Sequence, residues 1–234
     1  MKALNEFVLE KLKVAGNQHT YHPNSKKELI DLIIKEIETN GPNCSLNHID
    51  VSNITDMSDL LSGHPLLCEF DGDISDWDVS NVTDMRYMFN NCKYSGKNGD
   101  ISDWDVSNVK YMAFMFANSN YNGNLSNWDV SNVTNTRYMF KNCKYTGKNG
   151  DISNWNVSNV TNMAAMFLDS KFNGDISKWD VSNVENMFWM FKGSVFSGNI
   201  SKWKINPIIK GHMIDMFTNS PLENNPPKWY YKYR

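Results

Sequence analysis

The triplet Val-Ser-Asn constrains this chain more than any other feature. It occurs at Val51-Ser52-Asn53, Val79-Ser80-Asn81, Val106-Ser107-Asn108, Val130-Ser131-Asn132, Val157-Ser158-Asn159 and Val181-Ser182-Asn183, with Ile205-Asn206-Pro207 as a degenerate seventh copy. The steps between copies are 28, 27, 24, 27, 24 and 24 residues. Self-similarity at this period means a small unit stacked on copies of itself, because one such unit cannot bury its apolar side alone. The 27-residue steps hold the same insertion, Lys97-Asn98-Gly99 and Lys148-Asn149-Gly150, while the 28-residue step carries Gly63-His64-Pro65 instead. An insertion accepted at one fixed place reads as a surface loop.

Within a unit the apolar positions run Ile176, Trp179, Val181 and Val184, then Met187, Met190, Phe191 and Phe196. Trp179 and Val181, two apart, read as one face of a short strand. Met187, Met190 and Phe191, at i, i+3 and i+4, read as the stripe of a short helix. The expected fold is therefore an α/β repeat: a right-handed leucine-rich-repeat solenoid with a short parallel β-sheet on its concave face and short helices or turns opposite. Stacking would lay Trp77, Trp104, Trp128, Trp155, Trp179 and Trp203 on one another, which accounts for an aromatic share of 13%. Asn81-Val82-Thr83 and similar triplets are glycosylation sequons, but their periodicity favours a backbone role, with Ser and Asn satisfying turn amides.

Three segments follow: a helical N-terminal cap over 1–43, seven repeats over 44–222 and a C-terminal cap or tail over 223–234. In the first, a helix is expected at about residues 3–13 on Leu4, Val8 and Leu12. A second begins at the capping-box pair Ser25 and Glu28, carries Leu29, Ile33, Ile34 and Ile37, and stops at Gly41. Pro226-Pro227-Lys228-Trp229-Tyr230-Tyr231 reads as the closing cap. Charged residues interrupt every apolar run between Met1 and Lys11, so no signal peptide or membrane span is expected. That places the protein in the cytoplasm as written, or at the cell surface if a leader was removed. Four cysteines are too few for a disulfide scaffold, and four reduced thiols are expected. Cys92 and Cys143 occupy one repeat position two units apart, roughly 10 Å at the spacing of parallel strands, too far to bridge. Cys44 and Cys68 flank the first unit and stay open as a pair.

The signature Asp-Ile-Ser-x-Trp-Asp-Val-Ser-Asn-Val-x-x-Met-x-x-Met-Phe, followed by Phe/Tyr-x-Gly, resembles the BspA-like leucine-rich repeats, a "surface protein" domain of bacteria and their mobile elements. The resemblance covers about residues 44–222. It implies protein–protein or host-surface binding, usually outside the cell. Two forms of a non-catalytic protein binder are expected: an intracellular protein encoded by a phage or mobile element that inhibits a host protein, or an extracellular adhesin-type surface protein. An enzyme is the alternative of a different class, and it would need a pocket with converging polar groups. Nothing in the sequence bears on oligomeric state.

No catalytic residue, metal or cofactor is expected. His19, His22, His48, His64 and His212 are scattered, and Gly96-Lys97-Asn98-Gly99 lacks the spacing of a phosphate-binding loop. Asp76 and Asp78 beside Asp103 and Asp105 form a flat acidic patch without the turn glycine of a calcium loop. A net charge of −3 gives no long-range field for nucleic acid or an anionic membrane. The informative positions are those that vary between matching units. Before each Trp the series is Asp76, Asp103, Asn127, Asn154, Lys178, Lys202; after it, Asp78, Asp105, Asp129, Asn156, Asp180, Lys204. This face grades from acidic to basic, which would orient a protein partner. A second variable set holds Arg86-Tyr87, Ala113-Phe114, Arg137-Tyr138, Ala164-Ala165 and Phe188-Trp189. Arg, Tyr and Trp dominate binding hot spots, so Arg86, Tyr87, Phe114, Arg137, Tyr138, Phe188 and Trp189 are candidates for partner binding; equally, the rings would serve to cover the groove between units.

Overall fold

Hydrogen bonds between neighbouring repeats, more than any regular element within them, organise this chain. A computed structural model describes residues 19–233. Each repeat is one coil, and the coils stack. On one side Met112, Phe114, Phe116 and Asn118 donate their N–H groups forward, to Asn135, Arg137, Met139 and Lys141 of the next coil, at 2.8–3.1 Å. The same four-bond ladder joins Met85, Tyr87, Phe89 and Asn91 to Tyr111, Ala113, Met115 and Ala117. Elsewhere in the coil the bonds run backward. Thr134 and Lys144 donate to Lys110 and Ser119, the Trp128 indole to Ile101 and the Asn132 side chain to Ser107.

The expected parallel β-sheet is not formed, and this corrects the α/β solenoid inferred from spacing. Among the described residues the parallel pairing consists of isolated bridges, of which Asp56, Asp84, Tyr111, Asn135, Asn162 and Asn186 make one continuous row. The physical reason lies in the turns. Trp179 N–H closes onto Ile176 and Val184 N–H onto Val181, while Asp175 and Asp180 capture the N–H groups of Ser177 and Ser182. These contacts curl the segment read as a strand and take up amides that a ladder would need. Trp179 and Val181 are still buried with Asp180 exposed between them, so the alternation survives without the sheet.

The short helix of each repeat is absent too. Tyr87 and Asn91 have φ of 60° and 56°, and the equivalent pairs recur at Phe114 and Asn118, at Tyr138 and Asn142 and at Trp189 and Gly193. A left-handed residue every fourth position breaks an α-helix. In exchange, alternate N–H groups point to the next coil while Met88, Asn90 and Cys92 close turns onto Met85, Tyr87 and Phe89. With Arg86 N–H taken by the Asp84 carboxylate, every amide from Met85 to Cys92 has an acceptor.

Three rows of rings fill the interior. The Trp row stacks at 6.4 Å between Trp77 and Trp104 and again between Trp155 and Trp179. Phe89, Phe116, Phe140, Phe167, Phe191 and Phe217 form the second row, at 5.3–5.9 Å. Tyr94, Tyr121, Tyr145, Phe172 and Phe196 form the third. The tyrosines of this row, being buried, need acceptors, and Tyr94 and Tyr145 find them in Gly99 and Gly150 of the two inserted loops. Gly147 (φ 79°) lets one of those loops pass the Phe172 ring, which a Cβ there would meet at 2.9 Å.

Helix α1, Lys26–Asn40, lies at the N-terminal end with Leu29, Ile33 and Ile37 buried in the core. Ser25 accepts from Glu28 N–H and Glu28 accepts from Asn24 N–H, a reciprocal cap displaced by one residue from the ideal box. Lys26 reaches Asp56 and Ser58 of the first coil. A one-turn helix α2, Pro65–Cys68, occupies the 28-residue step. At the other end Trp229, in α3 (Lys228–Tyr233), stacks on Trp203 at 6.2 Å and donates to Ile200, so the tail extends the Trp row by one more place. The helix expected at about residues 3–13 lies outside the described residues. No helix among the described residues is long and apolar enough to cross a membrane.

Candidate functional site

The two left-handed positions that recur from the second coil onward differ in the residues that fill them. The second holds Asn91, Asn118, Asn142, Asp169, Gly193 and Asn219, the types that tolerate positive φ. The first holds Asp59 and Asp215 in the outermost coils but Tyr87, Phe114, Tyr138, Ala165 and Trp189 between them, at φ of 53–61°. A bulky side chain there works against the backbone, by roughly 1–2 kcal/mol. Residues held against local preference cluster at functional sites.

Three of these rings make a continuous face. Tyr87 stacks on Phe114 at 4.6 Å and Phe114 on Tyr138 at 4.5 Å, all three half-buried. The Arg137 guanidinium lies 5.3 Å from the Phe114 ring and 5.6 Å from Tyr138, and Lys141 stands 5.7 Å from Tyr138. Arg137 is exposed and has no carboxylate within ion-pair distance among the described residues, so its donors stay available. Arg86, by contrast, is held by Asp84, Nε to carboxylate 2.9 Å, and lies 5.4 Å from the Tyr111 ring. The Asp84 carboxylate also raises the Arg86 pKa, keeping it charged.

Tyr111 is the residue that sequence reasoning missed. It is 43% exposed. Five equivalent positions in other coils hold Asp56, Asp84, Asn135, Asn162 and Asn186, each accepting from the N–H two residues on; His212 takes the place in the last coil. Tyr111 gives up that acceptor for Ala113 N–H. The signal available in the sequence was this departure, within the inner coils, from an Asp/Asn series.

Phe188 and Trp189 do not join this face. They pack on each other at 4.4 Å, and Ala164 and Ala165, both buried, separate them from Tyr138. Lys192 stands 5.0 Å from the Trp189 ring, and the Trp189 Nε1 is buried without a hydrogen-bond partner.

On the Trp side, Asp76, Asp78, Asp103, Asp105, Lys178, Lys202 and Lys204 are all exposed. The structure divides their roles. Asp78, Asp105, Asp129, Asn156 and Asp180, the residues after each Trp, accept from the Ser N–H two positions on. Ser107 hydrogen bonds hold Asp105 below the usual carboxylate pKa, and Ser182 does the same for Asp180. The backbone thus explains the Asp and Asn of this series, though not Lys204 after Trp203. Of the residues before each Trp, Asp103 instead accepts from the Asn127 side chain across the coil junction. At the basic end Lys178, Lys202 and Lys204 share a hollow of about 360 Å³ with Asp180 and Ser182. No group of three metal-ligating side chains converges among the described residues.

With this geometry in view, the chain can be compared with known families. Residues 34–149 and 119–229 match the family described as Mycoplasma protein of unknown function, DUF285. The chain belongs to this family. The two matches overlap, as a repeat array permits when one family pattern fits it twice. No curated protein and no solved structure matches the chain. Membership in the family names no activity, so the site carries the functional reading.

Proposed function

We propose that this protein is a non-catalytic binding module that docks a protein partner on the face formed by Arg86, Tyr87, Tyr111, Phe114, Arg137 and Tyr138. The observation that carries this reading is the filling of left-handed positions by stacked aromatic rings only in the inner coils. Rings and guanidinium groups in one patch are the chemistry of binding hot spots. The open donors of Arg137 suit a partner carboxylate placed beside an apolar side chain. The finer kinship with BspA-like surface proteins belongs to the same reading. In its leading form the partner is a host protein met in the cytoplasm, and cell fractionation tests that against the cell-surface form.

The test is photo-crosslinking in the native host. A photoreactive residue at 111 or 137 is expected to capture one common protein, and Arg137→Ala is expected to weaken its binding by about 2 kcal/mol or more. Capture from position 76 or 178 alone would overturn the choice of face.

A further inference from the structure

Cys68 and Cys92 lie in adjacent coils at matching positions. Lys93 N–H donates to Cys68 O at 2.8 Å, and the same link joins Asn120 to Cys92 and Lys144 to Ser119. Cys68 therefore stands beside Cys92 as Ser119 stands beside Cys143, where hydroxyl and thiol are 3.5 Å apart. Both sulfurs converge on one atom: Cys68 Sγ is 3.4 Å and Cys92 Sγ 3.2 Å from the Leu61 carbonyl oxygen. Matching positions on adjacent parallel backbones fall within the Cα separation that a disulfide spans, about 4.4–6.8 Å.

We infer that Cys68 and Cys92 form a thiol pair that closes into a disulfide by exchange with a low-molecular-weight disulfide. In the structure both thiols are free. Cys92 is 3% exposed, and burial, then the neighbouring Cys68, pushes its thiol pKa up. Cys68 is only half-buried, so the first attack falls to it. Deprotonated Cys68 displaces one half of the reagent as a thiolate and forms a mixed disulfide. Cys92 gives up its proton and attacks the Cys68 sulfur, expelling the second half. Two protein thiols are oxidised, and one reagent disulfide is reduced to two thiols, which take up the two protons. The remaining cysteines lack this arrangement. Cys143 is buried between coils that carry Ser119 and Ser170. Cys44 has Gly72 beside it, where a Cβ would meet the Cys44 carbonyl at 1.9 Å.

The bridge would close a loop of about 25 residues that includes Asp84, Arg86 and Tyr87, and so would fix one end of the aromatic face. The experiment treats the folded, reduced protein with oxidised glutathione, followed by peptide mapping and thermal melting. A Cys68–Cys92 linked peptide is expected, with a rise in melting midpoint of roughly 5–10 °C. Cys92→Ser is expected to fold, since Ser119, Ser170 and Ser194 occupy the same position in other coils. In that variant the mixed disulfide at Cys68 should persist. A mixed disulfide that persists at Cys68 in the unsubstituted protein, a link between other cysteines, or no reaction while folded would each overturn the inference.

Discussion

The two left-handed positions of a coil have the same backbone conformation and opposite chemistry. At the second, Asn91 and its counterparts are what local sterics select, and the position reports only on the fold. At the first, Tyr87, Phe114 and Tyr138 impose rings on a conformation that disfavours them, and Asp returns only at Asp59 and Asp215, in the outermost coils. Comparing them separates residues present because the coil needs them from residues the coil merely tolerates.

The largest expected effect tests the interior against both positions. Phe140→Ala removes a fully buried ring stacked on Phe116 and Phe167, and should cost about 3–5 kcal/mol in chemical denaturation. Next come two substitutions that should separate the positions. Asn91→Val puts a β-branched residue at φ 56° and is expected to lower stability by about 1–2 kcal/mol with partner binding intact. Phe114→Asn relieves the backbone while losing two ring contacts. Its stability should stay within about 1 kcal/mol, whereas partner binding should weaken by about 2 kcal/mol. Matching stability losses in the two variants, with binding unaffected in both, would erase the distinction.

Tyr111→Asn should act more gently, restoring the acceptor for Ala113 N–H that five other coils possess. A gain of about 1 kcal/mol is expected, at the expense of binding. A further prediction concerns the turn carboxylates, each of which has a role in the fold. Hydrogen bonds from Ser52, with help from His22, hold Asp50 down at about 2, and Ser107 and Ser182 lower Asp105 and Asp180. Groups lowered in the folded state stabilise it fully above the unfolded pKa, about 3.9, and lose that contribution as pH falls through the folded values. The melting midpoint should hold steady from neutrality to about pH 5 and decline between about pH 4 and pH 2. Asp50→Asn should make that decline shallower.

Much of the interior was legible in the sequence. Trp, Val, Met and Phe recur at fixed intervals, and each is buried as a repeat array requires. The capping pair Ser25 and Glu28 likewise marked the start of α1. The sheet was misread because period-two burial at Trp179 and Val181 has two causes, a strand or consecutive turns. The Asp-x-Ser spacing that decides for turns was read as a charge gradient facing a partner. The helix was misread because i, i+3, i+4 spacing says nothing of φ. The Asn four residues after Tyr87, Phe114 and Tyr138, and the Gly four after Trp189, were the available sign of left-handed backbone. Cys68 and Cys92 escaped notice because their alignment depends on the 28-residue step, whose extra residues fold as α2.

The opposed hydrogen bonds at each junction have a consequence for length. Four forward donors, Met112, Phe114, Phe116 and Asn118, are matched by four backward ones from Thr134, Lys144, Trp128 and Asn132. Peptide dipoles that align head to tail, as in a helix, accumulate charge at the ends. Here the backward peptide donors, Thr134 and Lys144, oppose the forward ones and offset part of that build-up at the junction. A coil added between the caps would then lengthen the proposed face with little charge accumulating at either end.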